Sequence, residues 1–305
     1  MRALGPLLIS TALGLLLAAP ASAQSLYERA GASEWDVDVV RSAMAGWTGA
    51  GRACFDAAED PVAVAACVPD AEADGPVPQA LVAYHVALHA IAAGDFGAAT
   101  AWMEQAVAAP EQDLAEDDPL WVVLISTLGS ALLMADRYDE ARLRWAQTVD
   151  LGRRALKDAP QDLALSVLTL AWTQLATGHP QEGLASCAET AADPLAEHLH
   201  NAFGLTCLGQ LGAASAAAGD WAGADRWWAP WITIAQGGLL AADDPQMRSM
   251  QGQVGRAKLE LGRFEEALAL FEPVDAAWRA APPPEDPDGL TYSFLVARSL
   301  VGLGR

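Results

Sequence analysis

The chain has 305 residues, of which 52% are hydrophobic and 19% charged, and its formal net charge is −21. A chain this acidic repels the phosphates of nucleic acids and the headgroups of anionic lipids, which argues against both as partners. Beyond the N-terminus, no stretch reaches the roughly 18 uninterrupted apolar residues of a membrane helix, so we expect no membrane insertion of the mature chain.

Residues 1–23 have the pattern of a secretory signal peptide. Arg2 gives a basic start, Leu7–Ala19 is an apolar run too short to anchor the chain in a bilayer, and Ala21-Ser22-Ala23 is a small-residue cleavage motif. We therefore predict cleavage after Ala23 and export. Small residues are abundant and arginines outnumber lysines, which is typical of GC-rich bacteria, so the predicted compartment is the periplasm.

Residues 24–77 differ in pattern from the rest and are predicted to form an N-terminal helical cap. Glu34–Trp47 indicates one amphipathic helix, and Pro69–Pro78 has the composition of a linker. Four cysteines in an exported chain indicate disulfides. Cys54 and Cys67 flank a turn between two short helical patterns, so we expect them to pair within the cap.

From residue 78 onward, a short phrase recurs five times. The phrases are GDFGAA at Gly94, DRYDEA at Asp136, GHPQEG at Gly178, GDWAGA at Gly219 and GRFEEA at Gly262. The residue after the turn pair recurs at steps of 42, 42, 41 and 43 residues. A fixed period of this size indicates a stack of similar units, none of which buries its apolar face alone.

Each phrase separates two helical patterns. The first helix carries a large apolar residue followed by a very small one, as in Leu128-Gly129 and Val254-Gly255. The second helix carries a small residue followed four positions later by a mostly bulky one, as in Ala141 and Trp145. Small residues on two facing helices let the helix axes approach closely while the bulky residue fills the gap, so each unit is predicted to be a helix hairpin.

The order Leu-Gly, Gly-Asp-aromatic, Ala and then an aromatic resembles the tetratricopeptide repeat (TPR). The usual TPR period is about 34 residues, and the longer units of this chain are similar to the kinesin-light-chain type. The resemblance covers roughly residues 78–305 and is weakest at Gln174–Cys187, where Pro180 replaces the aromatic. It implies an all-α fold, a right-handed α-solenoid of about five TPR-like repeats plus a C-terminal capping helix.

The second pair of cysteines is predicted to join neighbouring repeats. Cys187 lies on the second helix of one repeat and Cys207 on the first helix of the next, and adjacent antiparallel helices can bring such residues within bonding distance. The alternative adds His198 and His200 to make a Cys2His2 zinc set. An oxidising compartment and the two-residue spacing of the histidines argue against the metal.

Motifs of catalysis are absent from the sequence, which has no GxSxG, P-loop, HExxH or Cys–His nucleophile pattern. His85 and His89 are one helical turn apart, a spacing that can chelate a metal, but no third ligand lies near them in the sequence. We therefore expect no enzyme activity, no cofactor and no metal site.

First-helix residues predicted to face the concave groove of the solenoid are candidates for binding a partner. They are Thr127, Ser130, Thr169, Trp172, Gln210, Gln253, Arg256 and Arg298. Some TPR proteins hold a terminal carboxylate with a Lys/Asn clamp, but Asn201, the chain's one asparagine, lies outside the matching positions.

Arg256 and Arg298 occupy equivalent positions in successive repeats. Two neighbouring guanidinium groups in an acidic protein favour an anion site. The alternative is that each arginine pairs with a nearby acid such as Glu260.

The predicted function is an exported module that binds a protein or peptide in its groove. The alternative is a structural or accessory subunit of a cell-envelope assembly without a peptide-binding groove. Trp172 and Arg256 in the groove favour peptide binding, whereas a smooth groove of small residues favours the scaffold. The acidic connections, such as Glu111–Asp118, are predicted to be a solvated rim, and the alternative is a surface for a basic partner.

Overall fold

A computed structural model of the chain describes residue 26 and residues 30–58, 60–110, 114–115, 117–157, 159–191, 199–241, 244–280 and 288–305. Within these ranges all regular secondary structure is helical, which confirms the predicted all-α class. None of the described helices combines the length and the apolarity that crossing a bilayer requires. The predicted signal peptide (residues 1–23), its cleavage site and His198 lie outside the described residues.

The chain divides into two compact units, Met1–Ser186 (unit 1) and Cys187–Arg305 (unit 2). From Glu34 to Asp74, the described residues of unit 1 form four short helices: α1 (Glu34–Ala45), α2 (Ala50–Ala57), α3 (Pro61–Ala66) and α4 (Val68–Asp74). The prediction of a linker over Pro69–Pro78 is therefore wrong, since every residue of it except Gly75 lies in α4 or in the helix that begins at Pro76. The reason is that Pro69 lies in the first turn of α4, where its missing N–H has no intrahelical partner to lose.

Asp74 and a disulfide hold this N-terminal segment together. The Asp74 carboxylate accepts hydrogen bonds from Trp47 Nε1 at 2.9 Å and from the Gly51 N–H at 2.8 Å. Cys54 and Cys67 are joined by a disulfide with their Cα atoms 5.6 Å apart. Helix α1 contacts two of the longer helices that follow, so the segment packs on the repeats of unit 1.

The remaining helices of unit 1 form hairpins. They are α5 (Pro76–Ala93), α6 (Phe96–Ala108), α7 (Pro119–Met134), α8 (Tyr138–Ala155), α9 (Pro160–Ala176) and α10 (Pro180–Thr190), the last of which extends past Ser186. Each of the helices from α5 to α8 contacts the next helix along the chain. This pattern of local contacts is that of stacked helix hairpins.

Unit 2 continues the hairpin pattern. Its helices are α11 (Ala202–Ala217), α12 (Trp221–Ile234), which runs on into a π-helical turn (Ala235–Leu239), α13 (Pro245–Glu260), α14 (Phe264–Ala280) and α15 (Asp288–Gly302). Each contacts the next, and α15 also contacts α13, as expected of the first helix of a following repeat. Cys187 and Cys207 form a disulfide within this unit, with Cα atoms 5.1 Å apart.

The predicted small–large pairs meet inside the hairpins. A Cβ atom added at Gly212 would lie 2.2 Å from Trp228 Nε1, and one added at Gly255 would lie 2.5 Å from Phe271. Gly129 faces Trp145 in the same way in unit 1. Glycine is therefore required by close helix approach, and the hairpin packing predicted from the sequence is confirmed.

Candidate functional site

The eight predicted groove residues differ widely in exposure. In unit 1, Thr169 and Trp172 are buried, while Thr127 and Ser130 are half-buried. In unit 2, Gln253 is half-buried, and Gln210, Arg256 and Arg298 are exposed. The accessible polar side chains of this set are therefore concentrated in unit 2.

Trp172 packs between two consecutive repeats. Its ring meets the ring of Tyr138, the turn aromatic of the preceding repeat, edge-on at 5.8 Å between centroids. Only 7% of Trp172 is exposed. Thr169 lies three residues before Trp172 on α9, and its hydroxyl already donates a hydrogen bond to the Leu165 carbonyl at 2.8 Å. These two residues offer little surface to a partner.

Arg256 occupies the repeat position of Trp172 and has a matching contact. Its guanidinium carbon lies 5.4 Å from the ring centre of Trp221, again the turn aromatic of the preceding repeat. Among the described residues, no carboxylate lies within ion-pair distance of Arg256. A cation–π contact uses none of the five N–H donors of a guanidinium, so these donors remain available to an acceptor.

Arg298 has a different environment. One of its guanidinium nitrogens lies 3.3 Å from Glu260 Oε1, and both side chains are partly exposed. The acid pairing considered for both arginines therefore occurs at Arg298. Its positive charge is largely offset by its partner, and the two arginines are not electrostatically equivalent.

A polar face of α13 combines these groups. Gln253, Arg256 and Glu260 follow one another at spacings of three and four residues, which places them on one side of the helix, and Arg298 reaches that side from α15. We call Gln253, Arg256, Glu260 and Arg298 the α13 polar face. It presents a cation and a neutral amide at one end and a neutralised ion pair at the other.

Comparisons with solved structures return TPR-like repeat proteins, all at low structural similarity. A kinesin-light-chain-like protein of Podosopora anserina with nearly identical TPR-like repeats is 19% identical over 81% of this chain and 90% of that chain, with a TM-score of 0.31. A substituted form of that protein is 20% identical over 73% of this chain and 85% of that one, also at 0.31. BtubC (BKLC) from P. vanneervenii is 16% identical over 86% of this chain and 95% of that chain, at 0.44.

No protein-family model and no curated protein sequence matches the chain. The helix hairpins, their period and their glycine–aromatic contacts are those of the repeat type predicted from the sequence. The repeats are TPR-like.

An ion-pair network in the TPR-like repeats of unit 2 was not predicted from the sequence. The Asp225 carboxylate on α12 lies 3.1 Å from Lys258 Nζ on α13 and 2.5 Å from an Arg263 nitrogen before α14. Glu266 pairs with both of these cations. The network joins three helices. Its four charged side chains are paired with one another. The signal for it was the recurrence of Arg three residues before Glu at two turns, Arg137 with Glu140 and Arg263 with Glu266.

The residues considered as metal ligands in the sequence, the pair Cys187 and Cys207 and the residue His85, have other bonding partners in the structure. Cys187 and Cys207 are bonded to each other, so their sulfurs are not thiolate ligands. His85 is buried, its Nδ1 lies 2.9 Å from the Leu81 carbonyl, and its ring meets Phe55 at 4.7 Å. Burial lowers the pKa of His85 to about 4. Within the described ranges, no three His, Cys, Asp or Glu side chains are placed to share a metal ion.

Proposed function

We propose that the chain is an exported, periplasmic interaction module that binds a protein or peptide partner through the α13 polar face in the groove of its TPR-like repeats. The observation that carries this proposal is Arg256, an exposed guanidinium positioned by Trp221 and without a described carboxylate partner. Gln253 lies one turn before it as a neutral hydrogen-bond donor.

Charge favours an acidic segment or a C-terminal carboxylate as the group that Arg256 holds. A guanidinium binds a carboxylate through two parallel hydrogen bonds, which fixes orientation as well as charge. The chain carries a net charge of −21, so anions without further contacts are repelled, and a partner must supply complementary contacts around the arginine. Specificity therefore arises from the combination of one local cation and an acidic surround.

The second candidate is a structural subunit of a cell-envelope assembly. It is favoured by the burial of Trp172 and Thr169 and by the pairing of Arg298 with Glu260, which together reduce the accessible groups of the predicted groove. The two candidates differ in whether one exposed arginine governs partner capture.

The test compares two arginines of unit 2. Arg226 is the matched control, because it is also exposed and its guanidinium carbon also lies over a tryptophan, 4.8 Å from the ring centre of Trp227. Purified mature chain (residues 24–305), immobilised, is exposed to an envelope extract of its own organism, and captured proteins are quantified by mass spectrometry. Arg256→Ala should lower capture of the specific partners about tenfold or more, whereas Arg226→Ala should not.

One further variant and one further measurement refine the test. Arg256→Lys keeps the charge but loses the paired hydrogen bonds, so capture should fall here too. Thermal unfolding of every variant shows whether loss of the Trp221 contact has damaged the fold. Equal capture by Arg256→Ala and the parent chain would reject the α13 polar face as the binding surface and favour the scaffold.

A further inference from the structure

A cleft in unit 1 lies between α1 and the first turns of α5 and α7. Its volume is about 520 Å³, and small-molecule sites in proteins typically occupy roughly 300–1,000 Å³. The cleft opens to solvent, because Asp38, Ser42 and Pro119 at its border are exposed. We call it the α1 cleft, and the lining residues that matter for its chemistry are Trp35, Asp38, Val39, Ala43, Val77 and Asp118.

One wall of the α1 cleft is an apolar stripe of α1. Trp35, Val39 and Ala43 follow one another at intervals of four residues, so they lie on one side of the helix. All three are half-buried, as is Val77, which borders the cleft from α5. Trp35 also packs against the core cluster around Leu156, which holds its ring in place. A concave site with apolar surface still in contact with water favours a ligand with an apolar body.

The charged groups of the α1 cleft favour a cation. Asp118 is the N-cap of α7, where its Oδ1 accepts the Leu120 N–H at 2.9 Å. Within the described ranges, no cation lies within ion-pair distance of this carboxylate. Asp38 differs, since Arg41 pairs with it at 2.5 Å and offsets its charge. In sequence, five of the eight residues from 111 to 118 are acidic and none is Lys or Arg.

Asp118 retains the capacity to hold a ligand. A carboxylate has about four acceptor sites, and the cap bond to Leu120 uses one of them. An ammonium group in the cleft would therefore gain both a charge partner and a hydrogen-bond acceptor. The indole of Trp35 in the adjacent wall provides a second attraction, since a cation near an aromatic face is stabilised by the ring.

We propose that the α1 cleft binds a small amphipathic organic cation, an arylalkylammonium ion. Its apolar body packs on Trp35, Val39 and Ala43, and its ammonium group pairs with Asp118. A neutral molecule of the same shape gains only the apolar contact, and an anion is repelled by the carboxylate. The cleft lies in unit 1 and the α13 polar face in unit 2, so this proposal does not depend on the proposed function.

Three ligands that share one apolar body test the charge preference. Tryptamine, tryptophol and indolepropionate carry an ammonium, a hydroxyl and a carboxylate, respectively, on the same indolylethyl group. Each is titrated into the mature chain (residues 24–305) and followed by isothermal titration calorimetry. Tryptamine should bind saturably and about tenfold or more tightly than tryptophol, and indolepropionate should show no binding.

A change of one carboxylate tests the position of the cation. Asp118→Asn removes the charge and keeps a side-chain oxygen that can cap α7, so it should weaken tryptamine binding about tenfold and leave tryptophol binding unchanged. The matched control is Asp244→Asn. Asp244 is likewise an N-cap directly before a proline, and it accepts the Gln246 N–H at 2.7 Å in unit 2. This control should leave the binding of both ligands unchanged.

A change of the apolar wall tests the location of the ligand body. Ala43→Phe fills the cleft and should abolish binding of tryptamine and tryptophol alike, and thermal unfolding shows whether this variant is folded. The proposal is overturned by absence of saturable tryptamine binding to the parent chain, or by equal affinities for tryptamine and tryptophol. Equal tryptamine binding by Asp118→Asn and Asp244→Asn also overturns it, whether or not Ala43→Phe folds.

Discussion

In each repeat a large apolar residue is followed by a very small one, and the next residue is Trp172 in one repeat and Arg256 in another. Both side chains meet the turn aromatic of the preceding repeat. An aromatic at this position buries apolar surface between repeats. An arginine keeps a ring contact through cation–π attraction but adds an exposed charge. One position therefore serves packing in unit 1 and presents an exposed charge in unit 2.

His85 is the buried titratable residue with the clearest consequence for stability. Its ring is packed among apolar groups of α2 and α5, and burial, with a smaller repulsion from His89 and Arg52, lowers its pKa to about 4. In the unfolded chain a histidine has a pKa of about 6.5. Between these two values the unfolded state binds a proton that the folded state does not, so acidification favours unfolding.

We therefore expect the free energy of unfolding to fall by about 2 kcal/mol between pH 7 and pH 5 through His85 alone. Urea titrations of the parent chain and His85→Gln at both values measure the difference. His179→Gln is the control, because His179 is substantially exposed beside Glu182. The same loss of stability in the His85→Gln variant and the parent would show that His85 does not govern this window.

At the scale of the element, three hairpins have one very close contact between a glycine of the first helix and an aromatic ring of the second. In α11, Gly212 lies directly beneath the Trp228 ring, while Gly209, one turn earlier, has its nearest side-chain atoms at 3.8 and 3.9 Å. Trp228 is itself held by a hydrogen bond from its Nε1 to the Gly209 carbonyl at 3.1 Å. The ring therefore cannot move aside without losing this bond and its packing.

Gly209 and Gly212 of α11 are expected to respond to alanine in opposite directions. Gly209→Ala meets only ordinary contacts and should raise the melting temperature, because alanine favours a helix over glycine by up to about 1 kcal/mol. Gly212→Ala gains the same propensity but overpacks against Trp228, at a cost of about 1–3 kcal/mol, so it should lower the melting temperature. Thermal unfolding by circular dichroism measures both, and stabilisation by both variants would refute the close packing of this hairpin.

Turn arginines add a second link between neighbouring hairpins. Arg137 reaches back to Glu104 on α6, at 3.2 Å, while it pairs with Glu140 on α8. Arg263 reaches back to Asp225 on α12 in the same manner. Single exposed ion pairs contribute little, but Asp225 is only 13% exposed and shares its charge with Lys258, so the network in unit 2 contributes more.

At the scale of the whole molecule, the two disulfides and the predicted signal peptide both point to export, and both can be tested on the same protein. Cys54–Cys67 closes a loop in the N-terminal segment, and Cys187–Cys207 joins α10 to α11. Among the described cysteines none is free. This complete pairing suits the oxidising compartment proposed for the chain.

Protein expressed with its own N-terminus in a bacterial host should be recovered from the periplasm beginning at Gln24. Peptide mapping without reduction should yield the two links Cys54–Cys67 and Cys187–Cys207.

Replacing Cys54 and Cys67 by serine should lower the free energy of unfolding by about 3 kcal/mol, because the bridge no longer restricts the unfolded chain. Export would be contradicted by free thiols in the recovered protein, or by recovery of the chain from the cytoplasm with residues 1–23 still attached.

The sequence by itself determined the all-α class, the period and the glycine–aromatic contacts within hairpins. These features repeat at fixed spacing along the chain, and contacts between adjacent helices follow from local periodicity. The helix at Pro69 was missed because proline and acidic residues also favour a first helical turn, and composition alone does not separate a helix start from a linker.

Only the tertiary structure decided which candidate site residues remain accessible. Trp172 is buried by Tyr138, Arg298 pairs with Glu260, and Arg256 remains exposed, although the sequence gives all three the same repeat position. Their exposure depends on the side chains that the preceding and following repeats bring to each position. Those neighbours lie more than 30 residues away in sequence, and the spacing within one helix carries no information about them.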